Sequence, residues 1–137
     1  MAAVYWGNEA MARADPAEQA LLRLEARRFV TRCETQIALI QRADTLREVA
    51  RLATIPLPYR LAEELTSRDA QRHVGQIAED RARELILVQI DHCLRAEPDR
   101  REIMVGRLSE EWANLTGVLG HLRAWAKGKL TAAQQVK

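Results

Sequence analysis

A chain of 137 residues, 47% apolar and 29% charged, can bury one sizeable core but not two, and this composition excludes wholesale disorder. A net charge of +2, with both signs spread along the chain, excludes a long basic arm or acidic tail as the basis of function. The aromatics are few (Tyr5, Trp6, Phe29, Tyr59, Trp112 and Trp125), so the core falls to Leu, Ile, Val and Ala, which suits closely packed helices.

Prolines divide the chain. Asp15-Pro16 reads as N-cap and first helical residue, since Pro lacks an N–H where none is needed. A long helix is expected from there to about residue 53, with Leu22, Ala26, Phe29, Val30, Cys33, Ile37 and Ile40 on one face. Asp44 or Thr45 offers a cap that would break it into two pieces. Thr54-Ile55-Pro56-Leu57-Pro58 is a rigid connector, because each Pro pushes its predecessor out of the helical region. A short helix over 59–65 is expected next. Thr66, Ser67, Arg68 and Asp69 then offer caps for a long helix over 68–96. Its middle, Leu85-Ile86-Leu87-Val88, extends apolar character around more than half the circumference and reads as buried on several sides, the centre of the bundle.

Glu97-Pro98-Asp99 restarts the chain, with Asp99 and Glu102 where a helix N-terminus favours negative charge. The last helix is expected to run on to Lys127-Gly128. It carries Val105, Leu108, Trp112, Leu115, Leu119, Leu122 and Ala126 at spacings that alternate between three and four residues. That period keeps a narrow apolar stripe facing another helix. The expectation is therefore a coiled-coil-like C-terminal helix, with Val105, Leu108, Trp112, Leu115, Leu119 and Leu122 as partner-packing residues. No stretch alternates with period two. The fold class expected is all-α, a compact bundle of four to five helices in a single domain over 1–137, with 1–14 as an N-terminal extension and 131–137 as a polar tail.

Patterns that carry catalysis are missing. The glycines are scattered and build no phosphate loop, and no Glu-x-x-His or His-Glu-x-x-His pair is present for a metal. His73, His92 and His121 stand apart. Asp91, His92 and Cys93 are consecutive on a helix, so they point about 100° apart and do not converge on one ion. The acid pairs Glu63-Glu64, Glu79-Asp80 and Glu110-Glu111 read as solvated faces. Cys33 and Cys93 fit no zinc or redox spacing and read as buried free thiols of a reducing compartment. The expectation is no enzyme, no metal, no cofactor and no small-molecule substrate. The longest apolar run, 85–88, is far short of a membrane span, and Gly7, Asn8 and Glu9 interrupt any leader-like stretch. A cytoplasmic protein without a membrane partner is expected.

The basic residues are the remaining signal. They are 18 Arg and 3 Lys, and Arg forms forked contacts to phosphate and carboxylate that Lys does not. Arg23, Arg27, Arg28 and Arg32 fall within ten residues and off the apolar stripe of their helix. With Arg68 and Arg72 they are the candidate nucleic-acid-binding residues. Arg81 and Arg83, and Arg95, Arg100 and Arg101, form looser groups interleaved with acids. A GC-rich coding sequence with a salt-bridged, solvated surface accounts for the same pattern. Exposed aromatics for base stacking are scarce, so contact to RNA or DNA backbone is expected in place of base reading.

One further stretch carries a resemblance. Thr45-Leu46-Arg47-Glu48-Val49-Ala50-Arg51-Leu52-Ala53, then Thr54-Ile55-Pro56 and Leu61-Ala62-Glu63-Glu64-Leu65, resembles the helix-turn-helix of LacI-type repressors over residues 45–65. The resemblance implies a DNA-binding regulator whose second helix reads the major groove. The stretch departs from that pattern: Thr54 stands at the turn glycine, Pro56-Leu57-Pro58 supplies no polar residues to read bases, and Glu63 and Glu64 would repel phosphate. Read from its residues alone it is a corner between helices, with Ile55, Leu61 and Leu65 packed inward and no sequence-specific duplex binding. The functional expectation is a non-catalytic small helical subunit of a nucleic-acid-associated, ribonucleoprotein-type complex, partnered by other protein subunits or by itself. The alternative is a helical interaction module (adaptor, chaperone or inhibitor) without nucleic acid, and the third reading is the DNA-binding regulator.

Overall fold

We describe a computed structural model of the chain over Val4, Trp6 and residues 15–135. Most of the extension read over 1–14, and the last two residues of the tail, lie outside the described residues. Those described form five α-helices and no strand: α1 (Pro16–Arg42), α2 (Leu46–Leu52), α3 (Leu65–Leu94), α4 (Pro98–Ala113) and α5 (Leu122–Gln135). One-turn 3₁₀ segments lie at Tyr59–Leu61 and Gly117–Leu119. The fold is all-α, and buried side chains of all five helices share one core.

Local chemistry sets the first boundaries. Asp15 accepts the Glu18 N–H at 2.8 Å, and Pro16 occupies the first helical position. α1 stops where Ala43 turns extended, and Thr45 Oγ1 then accepts the Glu48 N–H at 3.2 Å to open α2. The long helix expected over 16–53 is thus two helices, broken at the cap the sequence offered. Ala43 is held from a distance: the Arg81 Nε and Nη2 both donate to its carbonyl, at 3.0 and 2.8 Å.

Side-chain bonds fix the relative direction of the long helices. Arg60 meets Glu25, Gln36 donates to the Leu52 and Thr54 carbonyls, Gln71 donates to Ile55 and Arg81 to Ala43. Successive residues of α1 and α3 are thereby matched in the same order, so the two helices run parallel and residues 43–64 return between their ends. α3 touches α1, α2, α4 and α5 and is the centre of the bundle.

Several expectations are corrected here. The helix read over 59–65 is only the turn Tyr59–Leu61, since Pro56 and Pro58 precede it and Glu64 is given over to capping. Glu64 is no solvated acid. It is fully buried, accepts the Thr66 and Ser67 N–H groups at the start of α3, and pairs by backbone with Trp6 in an isolated antiparallel bridge. α3 therefore begins three residues earlier than expected. Ile55 and Leu61 pack inward, whereas Leu65 is exposed on the first turn of α3. Leu87 and Val88, read as buried, are 47% and 65% exposed: the C-terminal half of α3 buries Ile86, Ile90 and Cys93 and leaves the opposite face open.

The C-terminal third departs most. The helix expected from Pro98 to Gly128 ends at Ala113, and Gly117 adopts φ +59°, a left-handed conformation that a continuous α-helix does not hold and that glycine takes without steric cost. The 3.5-residue stripe is divided accordingly. Trp112 closes α4, Leu115 and Leu119 lie in the turn, and Leu122 and Ala126 belong to α5. All five are buried in the chain's own core, with Val105 and Leu108 packed against it. Nor does α5 stop at Gly128. It continues to Gln135, because burial of Leu130 and packing of Ala133 offset the roughly 1 kcal/mol that a helical glycine costs. The stretch read as a polar tail is helical through residue 135.

Candidate anion-binding surfaces

α1 buries Ala26, Phe29, Cys33 and Ile40. At about 100° per residue, Arg23 and Arg27 fall on one flank of its outward half and Arg28 and Arg32 on the other. All four side chains are exposed, and among the described residues none forms an ion pair or side-chain hydrogen bond. Arg42, Arg47, Arg68, Arg100 and Arg107 are likewise without a side-chain partner among the described residues, and the other described arginines are engaged. Arg51, Arg60, Arg83 and Arg95 each lie within 4.0 Å of an acid. Arg81 serves as a cap for α1, and Arg101 donates to the Leu94 and Ala96 carbonyls at 2.9 and 3.2 Å, closing the end of α3. The sequence interleaves Arg with acid throughout, and the fold leaves the α1 set free.

Beside Arg32, the Cys33 thiol is buried. Burial pushes its pKa above the ordinary value, the neighbouring Arg32 charge pulls it down and Glu34 pushes it up.

Arg68 and Arg72 lie elsewhere, one turn apart on α3. Arg68 makes no side-chain bond to a described residue, and Arg72 stands 3.7 Å from Asp69 with both side chains 74% exposed. They line a groove of about 470 Å³ between the N-terminal half of α3, the connector at Thr54 and Ile55, and the turn at Val118. The six candidate arginines are therefore not one patch but two surfaces. The groove's other members, Gln71, Gly75 and Glu79, share the helical spacing of Arg68 and Arg72, a legible signal. Its far wall comes from the connector and the second 3₁₀ turn and has no trace in local sequence.

At the inner end of the groove, Glu79 accepts from Arg83 at 2.7 Å and from His121 Nε2 at 3.0 Å. Arg83 and Lys129 both stand over the Trp125 ring, at 5.4 and 5.9 Å from its centre, so this cluster fastens α5 to α3. His73 and His92 are exposed. Asp91 pairs with Arg95, and Cys93 turns inward toward the Arg101 carbonyl, so Asp91, His92 and Cys93 point apart. Among the described residues no three His, Cys, Asp or Glu side chains gather as a metal site, and no helix is long and apolar enough to cross a membrane. Compared with protein-family models, curated proteins and solved structures, the chain matches none.

Proposed function

We propose that the chain is a non-catalytic helical subunit of a nucleic-acid-associated assembly, in which α1 holds phosphate backbone through Arg23, Arg27, Arg28 and Arg32. The observation that carries this reading is the unpaired state of those four guanidiniums, among the described residues, in a chain whose other arginines are mostly engaged. Two flanking rows on one helix suit a strand on either side of it. Tyr59 is the single strongly exposed aromatic among the described residues, so the contact is to backbone and not to base sequence.

Four neutralised duplex phosphates give a log K against log salt slope near −3.6, about a hundredfold loss of affinity between about 50 and 200 mM salt. Non-specific duplex and single-stranded RNA and DNA are the probes. Replacing the four arginines together by Gln removes both the binding and the slope while leaving the helical circular dichroism intact. Salt-independent association, or unchanged binding by the variant, overturns the reading.

A second reading, an interaction module without nucleic acid, is favoured by Leu21, Leu24 and Leu39, which are exposed on the same outward half of α1. It predicts a protein partner whose affinity is nearly insensitive to salt.

A further inference from the structure

The face of α3 that α5 covers from Glu79 onward continues toward the helix N-terminus, where no described residue of α5 lines it. There it forms the floor of the groove that Arg68 and Arg72 line. We propose that this groove is a binding site for a mononucleotide-class ligand, its phosphate monoester held by Arg68 and Arg72 and its ring seated over Gly75 against Val118. The assignment does not depend on α1.

Five observations support it. A concavity of about 470 Å³ lies in the range of small-ligand sites. Its two guanidiniums are one turn apart and can close on one group, and their combined charge matches a phosphate monoester of −1.5 to −2 better than a carboxylate of −1. Asp69 is beyond hydrogen-bond distance of Arg72 and largely solvated, a contact of little strength, and the acid that lines the groove, Glu79, is engaged by Arg83 and His121.

The floor is kept open by glycine. Gly75 lies inside α3, where glycine costs helix stability, yet a Cβ there would meet nothing closer than Val118 Cγ1 at 3.7 Å, an ordinary contact. Close packing does not require the glycine. What it leaves clear is the space between Val118, whose Cγ1 and Cβ flank it, and the Ala53 carbonyl, 4.0 Å away on the other side. The rim is polar and fixed: the Gln71 amide nitrogen is spent on the Ile55 carbonyl at 2.9 Å and that of Gln76 on Asp80 at 3.0 Å. Both residues line the groove and their amide oxygens accept from no described residue, which leaves acceptors that would complement the exocyclic amines of a nucleobase.

The same phosphate monoester arises on a free mononucleotide and at the phosphorylated end of a strand. Titrations with the four ribonucleoside 5′-monophosphates, inorganic phosphate, and short oligonucleotides with and without a 5′-phosphate separate these sources. Saturable binding of a mononucleotide is expected, with amide shifts in an NMR spectrum confined to residues 53–55, 68–79 and 118. Binding of the 5′-phosphorylated oligonucleotide alone supports the site and assigns the strand end as its source.

Arg68→Gln with Arg72→Gln weakens binding at least tenfold. Gly75→Leu abolishes it with both charges in place, whereas Gly75→Ala folds and still binds. The α1 variant with four Gln residues keeps mononucleotide binding, so failure of this site and failure of the α1 reading are told apart. No saturable binding by the native chain, phosphate alone binding as tightly as the nucleotides, or Arg68→Gln/Arg72→Gln binding undiminished overturns the assignment.

Discussion

Replacing Leu122 and Leu115 by Ala, one at a time, tests whether the divided stripe is core. Each substitution removes three buried carbons, about 2–3 kcal/mol at the usual rate per methylene. The cost beyond that depends on whether the space left behind is sealed. Leu122 is fully buried at the start of α5, packed within the core, so its loss leaves a closed cavity and a total near 3–5 kcal/mol is expected. Leu115 is 3% exposed but borders an open depression of about 390 Å³ that it shares with Leu46, Ala50 and Asn114. A hole there drains into solvent, the cavity contribution shrinks, and about 2–3 kcal/mol is expected. Urea unfolding followed by tryptophan fluorescence reads both, as a shift of midpoint at constant m-value. A cost near zero for either leucine would mean that the stripe does not face this core. A larger cost for Leu115 than for Leu122 would refute the argument from sealing.

Arg81→Gln removes a two-pronged, charge-assisted bond to the Ala43 carbonyl and is expected to cost about 1.5–3 kcal/mol in the same assay. Lys at that position should not restore it, because the fork is lost, and a cost under about 0.5 kcal/mol would show that Arg81 is not a cap. Cys33 should resist a thiol reagent in the native state and react promptly in denaturant. Since its folded-state pKa is raised, the folded chain keeps that proton longer than the unfolded one. Its contribution to stability is whole below about pH 8.5 and is lost as pH climbs toward the folded value. Unfolding free energy should therefore decline less steeply above about pH 8.5 in Cys33→Ala than in the native chain, and equal declines would contradict the assignment.

The parts of the fold that depend on neighbouring residues were legible. Asp15-Pro16, Thr45 and Pro98 announce helix starts because caps and prolines act within one turn. The apolar stripe from Val105 to Ala126 was legible as a helix-packing face, but neither what it packs against nor its continuity was. Leu115 and Leu119 keep the helical spacing while lying in a turn, so periodicity reported which side chains meet the core and said nothing of the backbone between them. Gly117 and Gly120 were the visible warning. Glu64 escaped although its cap bonds are local, because its burial and its backbone bridge to Trp6, fifty-eight residues away in sequence, are tertiary. For the candidate sites, helical spacing places the α1 arginines off the apolar stripe. Which arginines would be spent on Ala43, Leu94 and Ala96 was decided by tertiary contacts alone.

The parallel pairing of α1 with α3 has a kinetic consequence. Helices that run antiparallel can zip from a short turn, but here the bonds that join the central pair link residues as far as 38 apart, Ala43 to Arg81. Loop-closure entropy must be met before those contacts contribute anything, which slows folding relative to a bundle of simple hairpins. The α3–α4 corner is closed over seven residues by Arg101 and Leu94 and can form early. α1 is then the element that docks late, once residues 43–64 have been laid back along it. In refolding, amides on α3 beside α4 should gain protection before those of α1.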